Sequence, residues 1–529
     1  MTGYARLWRV DPERWRAAGS AWAGLTGRVD RWVADLDAGA GRLRGGWSGG
    51  AAGAAGARLT GLRGDLAALS PALIEADQVL AEFAGRLRAA KARLVAAVES
   101  AAGAGVLVDR HGRVTADPAV PRPAHRAGPA VVQVSTGIHA ALDLAGAADR
   151  EAAARLAELT AAAGSGWAGV PPPWRPPADA PPAVVRAWWA GLTPAQRRWL
   201  VRHEPATVGG RDGVPAAARD QANRLLLGVR RAELRAERGR LLTRFPRGPA
   251  ELAGLRRVER ALAGLGALDD RLASRETPRA YLLGLRTGGE GRAIVALGNP
   301  DRADHVLTYV PGMTSGLADA TGELGRADRV RARCADLAPG AETAAVLWID
   351  YDAPDFLHEA FRSGQATAAG PTLHAFQEGL RATHDGPPAR QTVLGHSYGS
   401  VVVGVAARDH GLAADAVVFV GSPGVGVDRA ADLRVPPGQV WSSTAPDDAI
   451  RLARPPEDLL RRAALDVPPF GPVAGLVDRP DGGLWFGHDP SHPGFGGRTF
   501  PSDRSGHTGY WDDGNPALDG MARIVLGRT

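Results

Sequence analysis

Near the start of the chain apolar residues recur every seven positions: Trp15, Trp22, Val29, Leu36 and Leu43, with Ala18, Leu25, Trp32 and Gly39 in the intervening seam. Asp11-Pro12-Glu13 opens this stretch with a capping acid and a first-turn proline, the usual start of a helix. The pattern breaks at Gly45-Gly46-Trp47-Ser48-Gly49-Gly50 and resumes as Leu59, Leu66, Leu73, Leu80, Leu87 and Leu94, with Leu62, Leu69, Ala76, Phe83 and Ala90 as a second row. Two heptad helices joined by a glycine turn predict an antiparallel helical hairpin over residues 1–100. Pro71 predicts a kink in its second arm. Each arm can bury its rows against the other, so the hairpin is expected to be a module separable from the rest.

Residues 101–183 read as a connector. It has a turn at Asp109-Arg110-His111-Gly112, an Ala-rich helix over 134–165 and a stiff proline-rich linker around Val170–Pro177. Residues 184–278 are patterned as helices. From residue 279 the apolar runs shorten to strand length: Tyr281–Leu285, Arg292–Leu297, Val306–Val310, Ala344–Ile349, Thr392–Leu394, Ala416–Val420 and Gln439–Ser442. Helical stretches at 315–336, 365–384 and 400–410 separate the later ones. Paired early strands followed by β-α alternation predict a mostly parallel α/β sheet over 279–529, with helices on both faces and an antiparallel edge.

The length of 529 residues suggests about two to four domains. The formal charge is +6, but Lys91 is the only lysine and every other basic residue is arginine. That bias fits the codon habit of a GC-rich genome. No basic run is interleaved with aromatics, so nucleic acid is excluded as a partner. Cys334 is the only cysteine, which excludes an internal disulfide and suits a structural thiol. Met1–Asp11 lacks the apolar core of a Sec signal. No run of apolar residues is long enough for a transmembrane segment. A cytoplasmic protein is expected.

Gly395-His396-Ser397-Tyr398-Gly399 carries the chemistry. Glycine fills 69 positions, so the G-x-S-x-G pattern says little by itself. Its setting says more: the strand Gln391–Leu394 precedes it and a helix from Ser400 follows, as a nucleophile elbow requires. A serine hydroxyl needs a base, and the base needs an acid to orient it. Past the strand Gln439–Ser443, Asp447 and Asp448 compete for the acid, and Asp448 is preferred. For the base, His488 and His492 lie in one loop, while His507 lies just before the last helix, Pro516–Leu526. That is the usual place for a hydrolase histidine, and His507 is preferred. His396, inside the elbow, reads as structural. His488 and His492 lack a third ligand at metal spacing, so neither metal nor cofactor is expected. The oxyanion would be held by the backbone N–H of Tyr398 and by that of Met313 or Thr314 in Val310-Pro311-Gly312-Met313-Thr314.

These pieces together resemble the actinobacterial α/β-hydrolases that carry a domain of unknown function around G-H-S-Y-G-S. The matching motifs are V-P-G-M at 310–313, Trp348-Ile349-Asp350-Tyr351-Asp352-Ala353-Pro354, Gly395–Ser400, Gly421-Ser422-Pro423-Gly424, Asp448 before Ile450, and H-x-x-Y-W at 507–511. Upstream, Arg211-Asp212-Gly213-Val214-Pro215 with Arg219 and Asn223 also fits. The resemblance implies a Ser397-Asp448-His507 triad. Asp350 stands where the family tends to have glycine, which alters the charge near the pocket. The hairpin with Trp47-Ser48-Gly49 at its bend resembles the small W-x-G helical proteins of type VII secretion. The Y-x-x-x-D/E export signal does not follow it; Tyr351 and Asp355 match that spacing only inside the catalytic region. The expected function is a serine hydrolase cleaving a small-molecule carboxylic ester, lipid-like esters included. The alternative is a type VII-associated interaction protein, with the hairpin binding a protein partner or a second copy.

Overall fold

The computed structural model describes residues 3–120, 124–164, 169–244, 248–274, 276–288, 291–313, 315–354, 362–452 and 483–529. Asp11 caps the first long helix: its carboxylate accepts the N–H of Glu13 at 3.1 Å, with Pro12 in the first turn. A short helix α1 (Tyr4–Arg9) precedes α2 (Pro12–Gly46) and α3 (Gly50–Ala104), which join at Trp47-Ser48-Gly49. The two heptad stretches thus form a helix–turn–helix. Pro71 lies inside α3, and the helix continues through it.

The stretch after α3 is more than a simple connector. Strands β1 (Val106–Val108) and β2 (Val114–Ala116) pair antiparallel around the Asp109–Gly112 turn. Helix α4 (Ala124–Gly164) then lies back along α3. Val134, Ile138 and Ala141 share one buried cluster with Phe83, Leu87 and Leu94. Leu87 and Leu94, the last two of the leucine row of α3, are therefore covered by a third helix. The middle of the chain is helical as expected: α5 (Pro182–Gly191), α6 (Pro194–His203), α7 (Pro205–Gly209), α8 (Ala216–Thr243) and α9 (Pro249–Ala273). Proline starts four of the five, where its missing N–H costs nothing.

The α/β region runs β3 (Ala280–Arg286), β4 (Arg292–Leu297), β5 (His305–Val310), α10 (Ala320–Leu337), β6 (Thr343–Ile349), α11 (Gly364–Thr383), β7 (Arg390–His396), α12 (Tyr398–Asp409) and β8 (Ala416–Val420). Then come β9 (Gly424–Val427), β10 (Val440–Ser443), β11 (Gly483–Leu484), β12 (Phe486–His488), β13 (Arg498–Thr499) and α13 (Pro516–Val525). One eight-stranded sheet has the order β13-β10-β8-β7-β5-β6-β4-β3. Only β4 pairs antiparallel, with both β3 and β6, so the reversed strand lies one in from the edge. Side chains alternate across the sheet: Leu307 and Tyr309 join the core under α9, α10 and α13, while Val306 and Val310 face α11 and α12. Strands β9, β11 and β12 form a separate small sheet.

The N-terminal helices are tied to this sheet by buried charge. Asp77 of α3 accepts from Arg16 of α2 at 2.9 Å and from Arg279, just before β3, at 2.7 Å. Arg279 also meets Asp220 of α8 at 2.8 Å. Asp220 accepts from Arg224, Gln78 and the N–H of Leu282 as well. A second knot holds Glu82 of α3 against Arg155 of α4, Asn299, and the hydroxyl of Tyr281. Burial pushes the Glu82 carboxyl up, but Arg155 and Arg302 outweigh it and hold it at about 2. We propose, against the expectation of a separable hairpin, that α3 supports the rest of the chain: removing it would take Asp77, one of two carboxylate partners, from Arg279, and the Gln78 amide from Asp220. Removing one member of such a pair typically costs about 3–5 kcal/mol. Asp77→Ala is expected to lower unfolding free energy by about that amount in urea. Arg88→Ala, which breaks only the exposed pair with Glu13, should cost under about 1 kcal/mol. Deletion of residues 1–133 should abolish soluble expression. A soluble, stable truncation would show that the buried charges do not join the two regions.

Candidate active site

Between the end of β7 and the start of α12 stands Ser397, with φ 53° and ψ −128°. It is the one non-glycine residue with positive φ among the described residues. Such a conformation costs roughly 1–3 kcal/mol and persists only where its surroundings enforce it. They do so by close packing. A Cβ on Gly395 would lie 2.6 Å from the Ser400 Cα, and one on Gly399 would lie 2.1 Å from the Val310 carbonyl oxygen. The Ser397 N–H is held by the Val420 carbonyl at 3.0 Å. The side chain sits at the N-terminal end of α12, where the helix dipole favours negative charge.

Asp448 and His507 come together on the loops that follow β10 and precede α13. His507 Nδ1 lies 2.9 Å from each oxygen of Asp448. With Nδ1–H donating to the carboxylate, Nε2 is left as the acceptor. Asp448 also accepts from the Ile450 N–H at 2.8 Å and the Tyr510 hydroxyl at 2.5 Å. Burial pushes its carboxyl up, but the bonds from His507, Tyr510 and Ile450 outweigh that and hold it below the ordinary range. Asp447 instead accepts the Gly506 N–H at 3.1 Å, so the two aspartates are separated by what they touch. Gly421, at φ 55°, leaves room here: a Cβ would lie 2.9 Å from Asp448 Oδ2 and 3.2 Å from His507 Nδ1.

His396 links the two halves. It precedes Ser397, its Nε2 donates to the His507 carbonyl at 2.9 Å, and the two imidazoles lie 4.8 Å apart. Burial, reinforced by His507, pushes the His396 imidazole down to about 3, so it stays neutral. On the other side of the serine, a Cβ on Gly312 would lie 2.7 Å from Ser397 Cβ, which places the Pro311–Met313 turn directly against the elbow. The Tyr351 hydroxyl reaches the Pro311 and Gly312 carbonyls at 2.6 and 3.1 Å. Burial raises the Tyr351 phenol and pushes Tyr398 up to about 12, so both remain donors. Thr314 lies outside the described residues.

His488 and His492 bond each other, Nε2 to Nδ1, at 3.0 Å and are not brought to Asp448. Among the described residues no group of three potential ligands could hold a metal ion. Sequence reasoning missed Tyr510 and Tyr351 as individual side chains. Both stand inside the motifs at 507–511 and 348–354, but only the fold shows which carboxylate or carbonyl each hydroxyl reaches.

The profile of a family described as alpha/beta hydrolase matches residues 287–457, which span the sheet from β4 through Ser397 to Asp448. A 31% identity over 217 residues relates the chain to Uncharacterized protein Mb0988c of Mycobacterium bovis, covering 39% of this chain and 80% of the relative. The chain belongs to the alpha/beta hydrolase family. A longer match, 31% over 385 residues, is to Uncharacterized protein Rv2079 of Mycobacterium tuberculosis. It covers 66% of this chain and 56% of the relative, so the chain spans little more than half of that protein. Among solved structures, the crystal structure of esterase PE8 overlaps 44% of this chain and 97% of its own, with 18% identity and a TM-score of 0.28. At that score the likeness says nothing of chemistry.

The alpha/beta hydrolase site has an acid-side signature. Asp448 is depressed in the fold, so its stabilising contribution is full above the ordinary carboxylate value of about 3.9 and is lost as pH falls through the lower folded value. His396 is also depressed, so protonation of the unfolded chain drains stability as pH falls below about 6.5. Tyr510→Phe removes one donor from Asp448 and should move the acid-unfolding midpoint to higher pH, read by circular dichroism. An unchanged midpoint would mean that the short Tyr510 bond contributes nothing to the carboxylate.

Proposed function

We propose that this alpha/beta hydrolase is a serine hydrolase that cleaves a carboxylic ester through Ser397, His507 and Asp448. The observation that carries the reading is the Asp448–His507 pair, tied through the His507 carbonyl to His396, the residue before a serine held at φ 53°. His507 Nε2 takes the proton from Ser397 Oγ as the oxygen attacks the ester carbonyl. Asp448 keeps Nδ1 protonated and stabilises the imidazolium. The tetrahedral oxyanion is held by the N–H of Tyr398, one of the first α12 donors without an intrahelical acceptor. A second donor comes from the turn that Gly312 brings against Ser397, with Met313 the candidate. His507 then protonates the departing alkoxide. Water, deprotonated by the same imidazole, releases the acid from the acyl-enzyme. The Tyr351 bonds to the Pro311 and Gly312 carbonyls turn those oxygens away from the developing charge.

A second reading concerns the N-terminal helices. Trp22 and Trp32 on α2 are 48% and 52% exposed, and Trp47 at the bend is 45% exposed. Exposed aromatics in a row suit a protein partner or a second copy, and a type VII-associated interaction role would use this face. No described helix is long and apolar enough to cross a membrane.

The test is hydrolysis of p-nitrophenyl esters of graded acyl length. Ser397→Ala and His507→Ala should each lower kcat by about three or more orders of magnitude. His488→Ala and His492→Ala should change mainly KM. Full activity in Ser397→Ala would sink the reading, and the reverse ranking of the histidines would move the base to the 488–492 loop.

A further inference from the structure

The rim that carries Ser397 continues along the sheet. Ser397 follows β7 and Asp350 follows β6, with β5 between those strands. At the usual strand spacing the two residues are about 10 Å apart, with β4 and β3 about 5 and 10 Å further on. Because β4 runs opposite to its neighbours, its first residue, Arg292, lies at this same rim. There it is the direct cross-strand partner of Arg286, the last residue of β3. Like charges placed so repel. Asp350 answers one of them, with Arg286 Nε and Nη2 at 3.2 and 3.3 Å from its two oxygens. Among the described residues Arg292 has only Asp352 as an ion-pair partner, at 3.6 Å and 69% exposed.

A cleft of about 460 Å³ opens at this point. Gly284, Ile294 and Trp348 are among the strand residues that line it, and α8 and α11 contribute Leu226 and Phe376. Five arginines line it against two aspartates. Arg219 is matched by Asp212 at 2.7 Å. Arg230 meets Glu233 at 2.7 Å, but both side chains are about half exposed, and such pairs are weak and screened. Arg211 rests on the carbonyl oxygens of Pro176 and Pro177. Burial pushes the Asp350 carboxyl up although Arg286 and Arg292 oppose it, so Asp350 is a reluctant counter-charge. A concave site with an apolar floor and excess positive charge concentrates anions. Rings connect it to the elbow: Trp348 stacks on Tyr351 at 6.1 Å, and Tyr351 on Tyr398, the neighbour of Ser397, at 6.5 Å.

We propose that this cleft is a carboxylate-recognising subsite, in which Arg286 and Arg292 take a carboxylate carried on the ester substrate two to four strand spacings from the scissile bond. Its role in catalysis rests on the serine-hydrolase reading; its ability to bind does not. The substrate carboxylate displaces Asp350 from Arg286 and gains the paired geometry that arginine offers carboxylates. The preferred substrates are then half-esters of dicarboxylic acids, and fully neutral lipids are disfavoured.

Calorimetric titration of the full chain carrying Ser397→Ala tests this with the monomethyl and dimethyl esters of suberic and dodecanedioic acids. At one of the two lengths the monomethyl ester should bind at least about tenfold more tightly than the dimethyl ester. Adding Arg286→Gln and Arg292→Gln should bring the two affinities together. Adding Asp350→Asn should instead tighten monoester binding, a gain that misfolding cannot produce. Equal affinity for mono- and dimethyl esters, or a monoester affinity unmoved by both changes, would overturn the proposal. Hydrolysis of the same esters by the chain with Ser397 intact is read separately. Tight monoester binding without hydrolysis would leave the subsite standing and remove the catalytic reading.

Discussion

Asp220 and Asp77 sit where three parts of the molecule meet, and the arginine they share, Arg279, opens the first strand of the main sheet. A buried guanidinium is tolerable only with its charge matched. Arg279 has its charge matched by one carboxylate from α3 at Nε and one from α8 at Nη1, while its buried Nη2 has no hydrogen-bond partner among the described residues. Asp220 in turn holds the N–H of Leu282, so the same carboxylate that balances the charge also fixes the backbone of β3. The helices upstream are thus bound to the sheet edge through a few charges that cannot be left alone. The antiparallel β4 packs beside β3, and that edge builds the arginine-lined end of the rim.

At the other end of the rim, strain and charge are handled by packing. Ser397 keeps its unfavourable backbone because glycines on both sides allow contacts that any side chain would block. The carboxylate of Asp448 is supplied with three donors, two from the 507–510 loop and one from Ile450 in its own loop. Only the imidazole among them can also act on a reacting group. His396 is kept neutral and spends its N–H on the backbone of His507, so His507 is held both at its carbonyl and, by Asp448, at its ring. Tyr351 does the same for the turn beside Gly312. The result is a candidate site in which Ser397, Asp448 and His507 are each held by neighbouring groups.

Much of this was legible in the sequence where local pattern decides structure. The branched apolar runs at 292–297, 306–310, 344–349 and 416–420 are too short for helices and bounded by turn residues, and each is a strand. The strand–turn–helix around Ser397 was readable because strand, glycine, serine, glycine and helix are consecutive. Local pattern could not separate Asp447 from Asp448, which share one turn and differ only in what they face. The heptads of α2 and α3 predicted their helices but not the cover that α4 gives α3, since a leucine row does not state its partner. Asp77, Asp220 and Arg279 are scattered single residues whose pairing is purely tertiary. Strands β9, β11, β12 and β13 are two to four residues long, below the length at which alternation is visible.

The central claim is that Ser397 is a nucleophile activated by His507. Reaction of the full chain with a fluorophosphonate, followed by peptide mass mapping, tests it most directly. The account predicts one adduct, on Ser397, formed at a rate that falls steeply in His507→Ala. No adduct, or an adduct on another serine while Ser397 stays unmodified, would contradict it.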